Sequence, residues 1–529
     1  MNVYERSLPE VLLAHAEENP DRPFLEDVEG YSASYGQVLE NSLRWADAWR
    51  RCEIGHGDRV AVFVPPSPQY IECWIGLTWL GAIEVGINPD YRGDMLASVL
   101  SDCGAKAVLV HVDYLDRLSE VLDRVPSLET IVVSGGPMSE TVLPCEQISF
   151  DAFWDRAEVM SPPALPNPWD IATICYTSGT TGPSKGVRLP WGQVQHLASV
   201  NFEGLLTGED AFYLPLPLFH IGGKVFPLLM AERGGRLVVR ERFSATAFWS
   251  DIRKTRSTFT VLVGTMAGLL LKQPELPEDS DNPLWLLWAV PVPDRIEEFQ
   301  KRFGIPRVMT SYTQTEMCAA LRNQHVNESN RTSAGQIVPG VELAIVDEHD
   351  LPVPDGEIGQ LLIRTREPWR LNAGYHGRPD ATAEAWQNGW FHTGDAFRRD
   401  SDGWYYFIDR MKDCVRRGGE NISSLEVERI VDQHPEVDTA ACIGVKSDLG
   451  DEDVKICVQL TAGSTLSERE LLEWLVAHMP RFMVPRYIEI VAEVPKTPNQ
   501  RVQKAEFRKT PVNDRTWDRQ AHDVDVPRH

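Results

Sequence analysis

Tyr176-Thr-Ser-Gly-Thr-Thr-Gly-Pro-Ser-Lys-Gly-Val187 is the stretch from which the rest of the chain can be read. The apolar run Ile171 to Tyr176 enters it as a buried strand, and a second short run leaves it from Val187. Between them lie three glycines, the hydroxyl side chains of Thr177, Ser178, Thr180, Thr181 and Ser184, and Lys185. Glycines let consecutive backbone N–H groups converge on one centre, and such a nest holds an anion. The hydroxyls add donors, and Lys185 adds a positive charge for the outer phosphates of a nucleotide. A flexible Ser/Gly surface loop is the plain alternative, but a linker rarely separates two core strands. The common phosphate loop, Gly-x-x-x-x-Gly-Lys-Ser/Thr, is not satisfied here. Phosphate binding is the reading these residues favour.

Outward from that stretch the chain alternates between helical and strand periods. Ser7 is expected to cap a helix running to about Glu18, where Asn19-Pro20 stops it. Strands are expected over Arg59 to Val64, Ala82 to Ile87, Ala107 to Val112 and Thr130 to Ser134. Helices fall between them, over Tyr70 to Trp79, Leu96 to Asp102 and Leu115 to Val125. Such alternation predicts layered α/β structure with a largely parallel sheet. The Pro-rich segment Ser161 to Pro168 links this half to the glycine-rich loop. The rhythm then resumes with a helix over Phe243 to Lys254, a strand over Thr258 to Val263 and a helix over Gly264 to Lys272. A β-rich region follows from about Gly335 to Ile408. From Asp409 to about Arg508 a small α+β domain is expected: helix near Leu425, strands near Ala441 and Ile456, helix from Leu466, strand near Ile488. The polar tail after Pro511 is expected to fray.

At 529 residues the chain has room for more than one domain. A formal charge of −25 disfavours nucleic acid or an anionic membrane as main partner, since both demand basic surface. Nine cysteines are scattered without CxxC pairs and no His/Cys cluster has zinc spacing, so reduced thiols in a cytoplasmic protein are expected. Met1 to Ser7 shows no leader-like pattern, and no apolar run reaches membrane-spanning length.

The glycine-rich string closely resembles the signature loop of the adenylate-forming superfamily, which includes acyl-CoA synthetases, peptide-synthetase adenylation domains and beetle luciferases. In that family Thr177, Ser178, Gly179, Thr180, Thr181, Gly182 and Lys185 would bind the phosphates of ATP. Tyr312-Thr-Gln-Thr-Glu316 resembles the family's Tyr-Gly-x-Thr-Glu, which implies that Tyr312 stacks on adenine, Thr315 contacts the α-phosphate and Glu316 holds Mg²⁺. Without the resemblance this string is only an amphipathic strand end. Trp390-Phe-His-Thr-Gly-Asp395 matches Trp-x-x-Thr-Gly-Asp, and Asp395 would accept hydrogen bonds from the ribose hydroxyls; alone it would be a turn residue. Asp409-Arg-Met-Lys-Asp413 resembles the family hinge, with Arg410 on the ribose and Lys412 as pivot. A large domain over residues 1–408 and a small mobile one over 409–529 are implied. Pro215-Leu-Pro-Leu-Phe-His220 followed by Ile-Gly-Gly223 resembles the segment carrying an aromatic gate, with His220 swinging aside for a thiol. A lone histidine is otherwise more often a core residue. Peptide-synthetase domains usually carry Phe-Asp there; its absence, with no carrier-protein segment at the C-terminus, points to coenzyme A. Arg417-Gly418-Gly419-Glu-Asn-Ile422 looks like the loop lining the pantetheine tunnel.

The resemblance spans about residues 7 to 508 and implies an acyl-CoA synthetase that turns a carboxylic acid, ATP and coenzyme A into acyl-CoA, AMP and pyrophosphate. Two departures stand out. In Pro495-Lys-Thr-Pro-Asn-Gln-Arg501-Val-Gln-Lys504, Arg501 stands where the family has its adenylation lysine, and Gln500 replaces a glycine. Arginine keeps the charge but is longer, planar and not interchangeable with lysine. Trp288-Ala-Val-Pro291 stands where Gly-Gly-Ala-Pro commonly forms the floor beneath adenine and the acyl group. Beside the complete reaction two alternatives follow. In one, the thioester half alone runs on a preformed acyl-adenylate supplied by a separate adenylating enzyme; in the other, the protein binds adenylate or coenzyme A without catalysis. Trp288, Phe219, Phe226 and the apolar segment Val261 to Leu271 imply a hydrophobic acid.

Overall fold

The computed structural model describes residues 6–137, 145–177, 184–263, 266–417, 420–447, 452–496 and 502–522. The chain forms two compact units. The larger comprises Met1–Gly179, Pro183–Glu342 and Arg364–Gly389; the smaller comprises chiefly Leu343–Ile363 and Trp390–His529.

Two sheets organise the larger unit. The first runs Glu146–Ser149, Thr130–Ser134, Ala107–His111, Arg59–Phe63, Ile83–Gly86, Ile171–Thr177, Lys185–Pro190, all parallel except the last pair. In the second, Pro23–Asp27, Arg236–Val239, Ala211–Leu214, Phe259–Val263, Leu286–Val290 and Arg307–Tyr312 lie parallel. Short antiparallel strands close its edges. The inner strands read as unbroken apolar runs because helices cover both faces. Helix Pro68–Trp79 is buried along nearly its whole length, as a helix apolar on every side must be. One core cluster joins it to helices Tyr35–Arg51, Trp191–Asn201 and Ile221–Arg233 and to strands of both sheets.

In the smaller unit Trp390–Arg399 pairs antiparallel with Gly359–Thr365 on one side and Tyr405–Arg410 on the other. A second sheet orders Val437–Lys446, Glu452–Leu460, Tyr487–Val491 and Trp517–Asp518. Helices Ser424–Val431 and Glu468–His478 supply the apolar side of its core.

Four local expectations need correction. Ser7 holds the N-cap position of helix Leu8–Glu18, but its hydroxyl makes no cap bond; Pro9 in the first turn removes one of the N–H groups a cap would serve. The helix expected from Phe243 begins only at Phe248, because the Ser244 hydroxyl accepts from Ala247 N at 3.2 Å and closes a turn before it. Leu115 to Val125 divides into helix Leu115–Ser119 and a 3₁₀ turn Leu122–Arg124. Leu115, Leu118, Val121, Leu122 and Val125 are nonetheless all buried, so the apolar period reported burial rather than continuous hydrogen bonding. The tail after Pro511 does not fray where it is described: Trp517–Asp518 adds a strand to Tyr487–Val491. Asp518 meets Arg486 at 3.1 Å, and Lys455 Nζ donates to the Pro511 carbonyl at 2.8 Å.

Candidate active site

In the larger unit the glycine-rich stretch joins two antiparallel strands, with Thr177 opposite Lys185. The Thr177 hydroxyl donates to the Lys185 carbonyl at 3.4 Å. Ser178, Gly179, Thr180, Thr181 and Gly182 lie outside the described residues. Gly186 packs so closely that an added Cβ would sit 2.9 Å from Ile174 Cγ2 and 3.0 Å from Tyr176 Cζ, so only hydrogen fits there. The segment after Asn372 runs alongside this hairpin. Ala373 N donates to the Arg188 carbonyl at 2.9 Å, and His376 N to the Gly186 carbonyl at 2.7 Å. That register carries Tyr375 over Lys185, whose Nζ lies 5.1 Å from the ring centroid.

Tyr375 then reaches the second motif. Its hydroxyl donates to Glu316 Oε1 at 3.2 Å, while Asn372 Nδ2 donates to the Glu316 carbonyl at 2.5 Å. Gln193 Nε2, from helix Trp191–Asn201, donates to the Thr315 carbonyl at 2.9 Å. Thr315 and Glu316 are thus fixed by three side chains from two other parts of the chain, and Lys185 is brought to them through Tyr375. Tyr312 ends its strand, as the sequence implied, and Gln314 Nε2 donates to its hydroxyl at 3.2 Å. Thr313, where the family has glycine, turns its hydroxyl to the Cys318 carbonyl at 3.2 Å and so closes the turn. Gln193, Asn372 and Tyr375 carried no local signal. No periodicity or motif marks a residue whose role is to hold another one distant in sequence.

His220 is the N-cap of helix Ile221–Arg233, extended at φ −105°, with its ring 4.6 Å from that of Phe219. Gly223 is required there, since a Cβ would stand 2.4 Å from the Pro217 carbonyl oxygen. One turn along, Lys224 is wholly buried beside wholly buried Glu84, Nζ to Oε1 2.9 Å. Its Nζ sits 4.5 Å from the ring centroids of both Tyr70 and Trp74. The Tyr70 and Thr173 hydroxyls donate to the two Glu84 oxygens, each at 2.5 Å. Burial beside that carboxylate holds the Tyr70 phenol well above its ordinary range. The helix that His220 opens is therefore anchored to the strand Ile83–Gly86 by a buried ion pair.

In the smaller unit Asp395 lies opposite Arg410 on paired strands, and their side chains meet at 2.8 Å. Asp409, nearly fully buried, accepts from the backbone N–H groups of Ser424 and Leu425 at 2.6 and 3.3 Å, tying the hinge motif to the helix that follows. Lys412 is exposed; partial desolvation of its ammonium by the protein around it draws it below the usual lysine range, with Asp413 opposing. Lys504 is sequestered: its Nζ meets Glu428 at 2.8 Å and donates to the Ser424 hydroxyl. Gly418, Gly419 and Arg501 lie outside the described residues.

Among the described residues no three His, Cys, Asp or Glu side chains converge as a metal cage. A single carboxylate, Glu316, suits a magnesium ion that keeps its waters and arrives on a triphosphate. Among the described residues no helix is long and apolar enough to cross a membrane.

Paired α/β sheets, a strand pair whose Lys185 is linked through Tyr375 to a fixed Thr-Glu pair, and a small α+β unit define an adenylate-forming enzyme. The profile of the AMP-binding enzymes matches residues 12–375, and that of the AMP-binding enzyme C-terminal domain matches residues 426–501. The chain belongs to this family, on its acyl-CoA ligase branch, and links a carboxylic acid to coenzyme A through an acyl-adenylate. The crotonobetaine/carnitine–CoA ligase of Salmonella enteritidis PT4 is 31% identical over 484 residues, covering 90% of this chain and 93% of that one. The anthranilate CoA ligase AuaEII, solved with anthranoyl-AMP, superposes with a TM-score of 0.83 at 25% identity, covering 96% of this chain and 98% of its own. The o-succinylbenzoate coenzyme A synthetase MenE of Bacillus subtilis, solved with AMP, shares the fold at a TM-score of 0.82 and 22% identity, over 97% and 99% of the two chains.

Proposed function

We propose that the protein converts a hydrophobic carboxylic acid into its coenzyme A thioester in two displacements at one site. In the first, an oxygen of the acid's carboxylate bonds to the α-phosphorus of ATP and pyrophosphate leaves. In the second, the thiol of coenzyme A gives up its proton, its sulfur bonds to the acyl carbon, and AMP leaves. The observation that carries this reading is the fixed chain Lys185–Tyr375–Glu316, with Thr315 held by Gln193. It joins a cation for the outer phosphates to a carboxylate for magnesium, next to a hydroxyl for the α-phosphate. Magnesium held by Glu316 would neutralise triphosphate charge. Lys185 and the loop Thr177 to Gly182 bind phosphates, and Tyr312 stacks on adenine. Asp395, with Arg410 beside it, takes the ribose hydroxyls. His220 gates the thiol, Lys412 is the pivot between residues 1–408 and 409–529, and Gly418 and Gly419 line the thiol's approach. Preorganised donors and charges of this kind supply most of the acceleration in such transfers. The aromatic surroundings of Trp288, with Phe202 at 5.4 Å and Phe226 at 5.7 Å, support a hydrophobic acid. Nine free thiols support a reducing, cytoplasmic setting.

A second reading, that only the thioester half runs and a separate enzyme supplies the adenylate, draws support from Lys504. With its ammonium bound to Glu428 and Ser424, Lys504 does not stand in for the missing adenylation lysine, and the task falls to Arg501. Two thioester assays on the purified chain decide between the readings. One supplies free acid, ATP, Mg²⁺ and coenzyme A; the other supplies synthetic acyl-adenylate and coenzyme A. Product in both establishes that Arg501 supports adenylation. Product only from the adenylate establishes the half-reaction, and Arg501→Lys should then restore dependence on ATP.

A further inference from the structure

The strand register places two buried donors on one face of the second sheet. Val261, Trp288 and Met309 are in register on three parallel strands and share that face; Ser311, two residues beyond Met309, returns to it. Helix Trp191–Asn201 covers the face, since Arg322, cross-strand from Ser311, donates to the Val200 carbonyl. Helix Ile221–Arg233, which His220 opens, covers it too. Phe226 packs on Trp288 with rings 5.7 Å apart, while Phe226 itself stacks on Phe212 at 3.7 Å. Trp288 therefore faces the helix that His220 opens, and Ser311 stands on the same face of the neighbouring strand, one residue before Tyr312.

Trp288 is 5% exposed and Ser311 4%, yet the indole Nε1 and the seryl Oγ have no hydrogen-bond partner among the described residues. Leaving a buried donor unpaired costs more than an ordinary hydrogen bond contributes, so native structures rarely do it without cause. The indole N–H is donor only, so its partner must be an acceptor; the seryl hydroxyl can either give or accept. No carboxylate is needed to satisfy this pair, and the aromatic rings around it favour a neutral group.

Resting on the acyl-CoA ligase reading above, we propose that the acid is a compact one whose carbon skeleton carries an oxo or hydroxyl oxygen. That oxygen accepts a hydrogen bond from Trp288 Nε1 and pairs with Ser311 Oγ. The rings of Phe202, Phe212, Phe226 and Trp288 fill the space beneath it and limit chain length. Trp288, which replaces the small residue of the family, is then a specificity residue rather than a plug.

The test uses hydrolysis-resistant acyl-sulfamoyl adenosines on the full chain, with affinity read by calorimetry. Butanoyl and hexanoyl analogues are compared with the same chains bearing an oxo or hydroxyl group at each carbon. At the matching carbon the oxygenated analogue should bind roughly threefold to tenfold tighter for each donor engaged. The ratio of oxygenated to plain affinity should fall toward one in Trp288→Phe and in Ser311→Ala, with a Tm within a few degrees of the parent showing that both fold. Equal affinity for plain and oxygenated chains at every carbon, or ratios unmoved by both variants, overturns the proposal and assigns the donors to water. If neither AMP nor any analogue binds, the adenylate-site reading fails first, and this proposal falls with it.

Discussion

Replacing Lys224 by methionine isolates the energetics of the buried pair that anchors helix Ile221–Arg233. The side chain keeps its length between the Tyr70 and Trp74 rings, and a thioether tolerates such contacts. What is lost is the cation paired with Glu84, whose side chain is wholly buried. The pair is held by charge more than by a well-aligned hydrogen bond, so removing one partner leaves an uncompensated carboxylate, a change that typically costs about 3–5 kcal/mol. Two hydroxyls, from Tyr70 and Thr173, still donate to it and hold the loss toward the lower end. Spread over an unfolding entropy of about 2.1 cal/mol/K per residue in the larger unit, a loss of about 3 kcal/mol is ~4 °C in Tm. Scanning calorimetry at matched scan rates measures it. Glu84→Gln added to Lys224→Met should restore most of the loss, since glutamine buries no charge and can still bond both hydroxyls. The reasoning is refuted if the single variant loses less than ~1 °C at pH 7. It is equally refuted if the double variant is no more stable than the single one.

Two further outcomes are expected. Burial, with Arg370 adding to it, lowers the His196 imidazole to about 4. The folded state therefore resists a proton that the unfolded chain accepts near pH 6.5, so stability is fully present above that pH and is lost as pH falls toward 4. The loss is on the order of 3 kcal/mol; His196→Asn should flatten this segment of the Tm–pH profile relative to the parent, and parallel profiles would contradict it. Tyr375→Phe removes the hydroxyl bonded to the Glu316 carboxylate. ATP–pyrophosphate exchange, or thioester formation if exchange is absent, should drop about tenfold in kcat/KM for ATP, as expected for losing a hydrogen bond to a charged group. The magnesium titration should shift upward; an unchanged titration would argue that Tyr375 does not position Glu316.

Much of the architecture was legible because it is written in local periods. Apolar runs such as Val60 to Phe63 marked buried parallel strands, and the elements near Leu425, Ala441, Ile456, Leu466 and Ile488 all occur. Tyr312 of one motif ends a strand, with Thr315 and Glu316 in the turn beyond it, and Asp395 and Arg410 of two others face each other on paired strands. Local pattern failed where a side chain or a tertiary partner overrode it: Ser244 delays a helix, and Asp518 with Arg486 orders a tail whose polarity suggested fraying. The supports of the site were illegible. Gln193, Asn372 and Tyr375 reach Thr315 and Glu316 across long stretches of chain, and Lys224 meets Glu84 from a helix far along the chain. The amino-acid order determined which segments become strands and helices and which motifs they carry, since backbone periodicity and turn chemistry act over a few residues. Only the tertiary packing decided which buried charges pair, which hydroxyl orients the glutamate and which donors stay open, because those contacts arise from layers meeting in space.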